Sequence, residues 1–166
     1  MLAAEIGETP LARFAVDVNV GRLAKWLRVM GYDSLFIPDV DDGELLRVAR
    51  DQGRTVLTRD RYILERRIVT TGQVTVILIT SDDFREQIRQ IAQTMELDLQ
   101  NGFSLCIVCN KRLMTVPREQ VRDRVPSFVF DTQRQFHECP QCGKLYWRGT
   151  HWRNMRSELE GFLKGV

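Results

Sequence analysis

The sequence predicts an α/β fold: a three-layer domain on a parallel sheet, then a small β-rich module, then a C-terminal helix. Three observations carry this. Between residues 14 and 97, short apolar runs alternate four times with segments of helical period, which calls for a parallel sheet with right-handed crossovers and helices on both faces. After Gln100-Asn-Gly102 the texture changes to short β-type runs, turns and four cysteines in two close pairs. Residues 152–163 then return to helical period. The expected organisation is a tail over 1–12, the α/β domain over 13–100, the cysteine module over 103–150 and the helix over 151–166.

The elements follow in order. Phe14-Ala-Val-Asp17 is an apolar run ending in a carboxylate. Residues 18–31 form a helix whose inner face carries Val20, Leu23, Ala24, Leu27 and Met30, with Arg22, Lys25 and Arg28 elsewhere. Asn19 can cap its start and Gly31 its end. Residues 32–37 are a second strand, stopped by Pro38. An acidic turn over 39–43 leads into a helix over 44–52, with Asp42 as candidate N-cap and Gly53 closing it. Residues 54–58 make the third strand and 62–69 a helix. The run 74–79 is β-branched and apolar, as a strand buried on both faces should be. Residues 84–97 are an amphipathic helix with Ile88, Ile91, Ala92 and Met95 inward. Trp26 is expected to pack inside the domain.

The 166 residues suffice for one domain with a real core plus an appendage. Apolar residues at 43% and charged residues at 28% fit a soluble protein, and no apolar run approaches the roughly 20 residues of a membrane span. The N-terminus lacks a basic-then-apolar leader, so the expected location is cytoplasmic. Residues 1–102 hold 13 basic and 16 acidic side chains, net −3, and residues 103–166 hold 11 and 6, net +5. The basic half could touch phosphates, although a zinc ion bound by four thiolates would remove two of those positive charges.

Asp17, Asp60 and Asp82 or Asp83 each follow a strand, and Asp42 opens the helix that leads into the third strand. In a parallel sheet the carboxyl ends share one edge, where open α/β folds bind ligands. Carboxylates gathered there repel and raise each other's pKa, and a hard divalent cation such as Mg²⁺ or Mn²⁺ is the usual compensation. The bland reading is that these aspartates are ordinary turn and cap residues.

Cys106-Ile-Val-Cys109 and Cys139-Pro-Gln-Cys142 are two C-x₂-C knuckles. In a reducing compartment such pairs argue for metal rather than disulfides, and four thiolates supply a closed tetrahedral site for structural Zn²⁺. A thioredoxin-like motif would need one pair, placed after an early strand. His137 and His151 are then spare. His137 reads as a residue beside the site or at the surface, and His151 could contact a ligand or, the favoured reading, help dock the final helix. The basic stretch over 117–124 could track a nucleic-acid backbone or be a solvated loop.

Asp42-Gly-Glu-Leu-Leu-Arg-Val-Ala, followed by Gly53-Arg-Thr-Val-Leu-Thr-Arg-Asp60, resembles the late part of PIN domains. More closely, Asp17-Val-Asn-Val-Gly-Arg-Leu-Ala-Lys-Trp-Leu-Arg, Leu57-Thr-Arg-Asp60, Ser81-Asp-Asp83 and the two cysteine pairs together resemble the Mut-seven C-terminal ribonuclease family, a PIN-like domain fused to a zinc ribbon. The resemblance covers about residues 13–160. It implies hydrolysis of RNA phosphodiesters with carboxylate-held Mg²⁺ or Mn²⁺, and carries Asp17, Asp42 and Asp60 over as ligands. Many PIN domains place a further acid on an intervening helix. No clean equivalent exists here, and Glu44 and Asp82 are the substitutes. Arg22, Lys25 and Arg59 are candidates to hold phosphates of an RNA, expected to be single-stranded, and the zinc ribbon could help bind it. Arg22 and Lys25 read equally well as a solvated helix face. The alternative reading is a non-catalytic nucleic-acid-binding adaptor that uses the ribbon. A haloacid-dehalogenase-type phosphatase would want a second Asp two residues after Asp17, where this chain has Asn19.

Overall fold

The computed structural model describes residues 11–164, so most of the expected N-terminal tail lies outside the described residues. Four short strands, β1 (Phe14–Val16), β2 (Ser34–Phe36), β3 (Thr55–Thr58) and β4 (Val76–Leu78), form one fully parallel sheet in the order β2-β1-β3-β4. Helices α1 (Arg22–Val29) and α4 (Phe84–Met95) cover one face. Helix α2 (Asp42–Gln52) and the short α3 (Arg67–Thr70) cover the other. Alternation along β1 divides the core: Phe14 and Val16 join the first layer, and Ala15 joins Leu45, Leu46 and Ala49 of α2 in the second.

Several local expectations are corrected. Asn19 does not cap α1: residues Val18–Val20 are a 3-10 turn and Gly21 is the N-cap. The cap of α2 is Asp41, whose carboxylate accepts from the Glu44 N–H, so Asp42 is the first helical residue and its side chain is free of capping. The 62–69 segment is not one helix: a 3-10 turn at Arg61–Glu65 breaks at Arg66 before α3. The run 74–79 is an edge strand with Val76 and Leu78 only partly covered. The most buried strand is the short β1. Arg28 was expected off the apolar face of α1, and it is buried.

Gly31 ends α1 at φ +93°, and a Cβ there would lie 2.1 Å from the Asn101 carbonyl oxygen. The turn into the second module therefore packs directly on this glycine. Strands β5 (Met114–Val116), β6 (Phe136–Glu138) and β7 (Leu145–Trp147) make a small antiparallel sheet, with α5 (Ser127–Thr132) inserted before β6. Its own core is slight: Val121, Phe130 and Phe136 are the buried residues. Helix α6 (Thr150–Leu163) returns to the first domain, where Met155, Leu159 and Phe162 enter the main core. Phe162 meets Trp26 and Phe84 at ring distances of 5.7 and 6.0 Å. Among the described residues, no helix is long and apolar enough to cross a membrane.

Candidate active site and metal centre

From β1 the chain moves outward to β2, and from β3 outward to β4, so the strand order reverses between β1 and β3. Such a switch point opens a crevice at the carboxyl ends. Asp17 directly follows β1 and Asp60 follows β3 by two residues; Asp42 starts the helix reached from β2. These three neighbours share the crevice. Asp82 follows the edge strand β4 and lies outermost.

Asp17 is buried, and its position is fixed by polar contacts. Its Oδ2 accepts from the Thr58 hydroxyl at 2.5 Å and from the Asn19 amide at 2.7 Å. The fully buried Thr58 oxygen also accepts from the Asp60 N–H at 3.0 Å, and the Asn19 Oδ1 accepts from the Arg59 N–H at 3.1 Å. One hydroxyl and one amide thus tie both central strand ends together. Among the described residues Asp17 Oδ1 has no hydrogen-bond partner, which leaves it for a ligand. Asp60 accepts from the Tyr62 N–H at 2.9 Å, and Asp42 lies 3.8 Å from Arg66.

Electrostatics show that the acids sense each other. The Asp42 carboxyl is raised above its ordinary range, first by burial and then by the charges of Asp60 and Asp17; Arg66 works against this. A carboxyl raised on folding adds stability below its unfolded pKa and loses it as pH rises through the folded value. At neutral pH the Asp42 charge therefore opposes folding of the metal-free protein. The three acids do not close on one point: among the described residues, only the four cysteines form a group of three or more whose ligand atoms all lie within 4.8 Å of one another. A Mg²⁺ ion keeps several waters and takes only one or two carboxylates directly, so such a site does not require all three acids in contact.

The other candidates lie elsewhere. Glu44 pairs with Arg47 on the exposed face of α2. Asp82 pairs with Arg59, so neither joins the central trio. Arg22 is exposed, with its guanidinium 4.0 Å over the Phe84 ring; Lys25 is exposed without such a contact. Trp26 is buried in the core. Sequence reasoning missed Thr58 and Asn19 as the residues that hold Asp17.

The second centre is the cysteine cluster. A zinc tetrahedron with arms of about 2.3 Å has edges of about 3.8 Å, and Cys106 and Cys142 Sγ stand 3.8 Å apart. The knuckles match: Cys106 N–H donates to Lys111 O and Asn110 N–H to Cys106 O, as Cys139 N–H donates to Lys144 O and Gly143 N–H to Cys139 O. Each closes on a positive-φ residue, Asn110 or Gly143. Burial pushes the Cys106 thiol up, but the Tyr146 hydroxyl and the Cys109 and Val108 N–H groups outweigh it and bring it down to about 6. The donor set therefore fits Zn²⁺.

The first knuckle is fastened to the amino end of the parallel sheet, opposite the acids. Buried Arg28 donates from α1 to Ser34 O, Ile107 O and Val108 O. Asn110 donates to Asp33 and accepts from the Ser34 N–H. Asp33 also receives the buried Arg54. The helix expected to dock does so through Met155, Leu159 and Phe162, while His151 stays exposed. In the 117–124 stretch, Arg118 and Arg122 stack on Phe130, and Arg124 pairs with Glu138.

Fold and site together define a carboxylate-bearing parallel α/β domain joined to a small module whose four cysteines are positioned to bind zinc. The family described as Mut7-C RNAse domain matches residues 12–159, and the chain belongs to it. That membership points to a nuclease, a hydrolase by class, with RNA as substrate. No curated protein and no solved structure matches the chain.

Proposed function

We propose that the protein is a PIN-like, cytoplasmic ribonuclease that cuts single-stranded RNA with Mg²⁺ or Mn²⁺ held by Asp17, Asp42 and Asp60. The observation that carries this reading is the coupling of these acids at the switch point, with Asp17 locked by Thr58 and Asn19 and one of its oxygens left over. A divalent cation there supplies an activated water and neutralises the charge of the phosphodiester displacement. The chain's own part is positioning. Thr58 and Asn19 orient Asp17; Arg59, kept near the crevice by Asp82, and Lys25 hold phosphates without reading sequence. The proposed ribbon role is structural first, since its anchored knuckle lies at the other end of the sheet. The direct test is a Mn²⁺ titration followed by an RNA cleavage gel. Absence of cation-dependent cleavage would favour the adaptor reading.

Two expectations arise here. Asn19→Ala and Thr58→Val remove hydrogen bonds behind a ligand, which typically costs about 10–100-fold in metal affinity or activity. Titrating Mn²⁺ against each variant's cleavage rate measures this, and unchanged midpoints and rates would count against the Asp17 lock. Lys25→Ala should lower the slope of log Kd against log salt by about 0.7, the value for one phosphate contact on a single strand. A slope equal to that of wild type would make Lys25 a solvated helix residue.

A further inference from the structure

Away from the acids, the small sheet, Phe103 and α6 enclose a cleft with two adjoining chambers of about 330 and 640 Å³. Both are lined by Phe103, Tyr146, Trp147 and Trp152. The last three are only half-buried, and Phe128, 74% exposed, lines the larger chamber. Arg112 and Arg148 line one chamber, Lys144 and Arg153 the other; among the described residues, no carboxylate lines either. Trp152 lies 4.8 Å from Phe103, and the Arg148 guanidinium sits 5.4 Å from the Trp152 ring. Trp152 is therefore already stacked by planar groups of the kind a base presents. Among the described residues, the half-buried Tyr146 and Trp147 and the exposed Phe128 have no such partner within the cleft.

Cationic side chains beside half-open aromatic faces are what grooves for single-stranded nucleic acid are made of, because every base has a face to stack and every link a phosphate to pair. A lining with four cations and no acid selects a polyanion over an apolar peptide. We propose that this cleft is a second RNA subsite, which stacks bases of a single strand remote from the bond that is cut. The proposal rests on the ribonuclease reading for the identity of the polyanion. Its place fits: Val29, the last residue of α1, lines both chambers, while Asp17 precedes that helix. Eight helical residues span about 12 Å, and exposed Lys25 lies part-way along them. A strand can follow this path from cleft to crevice.

Binding is measured on the zinc-loaded full chain dialysed free of Mg²⁺ and Mn²⁺, where cleavage that needs those cations is silent, and without chelator, which would strip the zinc that holds the small sheet. The probes are a fluorescein-labelled oligouridylate and an abasic strand of equal length. Oligouridylate should quench tryptophan emission and bind more tightly than the abasic strand. Phe128→Ala, which removes an exposed ring and no core contact, should weaken oligouridylate binding at least about five-fold, the lower end for loss of one stacked base, and leave the abasic strand unaffected. Arg148→Gln should weaken both probes and lower the salt slope by about 0.7. Equal affinity for the two probes with unchanged tryptophan emission, or both variants binding like wild type, would overturn the subsite. Cleavage in Mn²⁺ is read separately: its absence alongside base-dependent binding would strike the catalytic reading and leave the cleft standing.

Discussion

Asp60→Asn should abolish most RNA cleavage while leaving the fold intact. The Asn oxygen can still accept the Tyr62 N–H that Asp60 now receives at 2.9 Å, so the local turn keeps its hydrogen bond. The Thr58 hydroxyl still accepts the backbone N–H at this position. What disappears is one negative charge, and with it part of the field that raises Asp42. The metal-free variant should therefore be as stable as wild type or more so. Catalysis should fall by more than about 100-fold, since losing only a hydrogen bond behind a metal ligand costs about 10–100-fold. Initial rates on a single-stranded RNA at saturating Mn²⁺ measure this. A capping Asp would give a different pattern: about 0.5–2 kcal/mol of stability lost at most, and activity kept.

Cys139→Ser should have the largest structural effect, and it should be confined. Structural zinc contributes about 10–16 kcal/mol in small zinc-dependent peptides, and the module has only Val121, Phe130 and Phe136 buried in its own core. So few apolar residues cannot hold the three-stranded sheet once a ligand is lost. Hydrogen exchange should become fast over 114–147. Protection should persist over 14–97, which has a separate core, and in α6, whose Met155, Leu159 and Phe162 belong to that core. The first knuckle should keep partial protection through Arg28 and Asn110. Elemental analysis should find one zinc per wild-type chain and none in the variant. A zinc-free wild type with fully reactive thiols, or uniform protection in the variant, would remove the assignment.

The layered fold and the cysteine site were legible because they are written locally. Periodicity gives helices and strands, and two C-x₂-C pairs give four thiolates whatever the intervening chain does. What escaped the sequence is non-local. Thr58 reaches Asp17 across 41 residues, so no nearby pattern marks it. Asn19 stands only two residues from Asp17, but in the sequence it reads as a helix cap, and its contacts with Thr58 and the Arg59 N–H are the long-range ones. Arg28 looks like a surface residue of an amphipathic helix until the first knuckle covers it with two carbonyls. Periodicity cannot give strand order, and so the most apolar run, 74–79, reads as a strand buried on both faces when it forms an edge with Val76 and Leu78 only partly covered. Asp41 and Asp42 are adjacent acids before one helix, and only backbone geometry decides which caps and which is left free. The cleft between the small sheet and α6 exists only when Phe103, Trp147 and Trp152 are brought together from both sides of the cysteine module.

The proposed cation site at Asp17, Asp42 and Asp60 is tested most directly by four thermal melts of zinc-loaded protein: wild type and Asp60→Asn, each dialysed free of Mg²⁺ and Mn²⁺ without chelator, and each with Mn²⁺ added. A ligand stabilises only as far as it prefers the folded state. Without added cation the variant should melt at or above the wild-type temperature, because a repelling charge is gone. In Mn²⁺ the wild type should shift upward and the variant hardly at all. Equal upward shifts in both proteins, or a variant that melts well below wild type without added cation, would contradict a cation held between these three carboxylates.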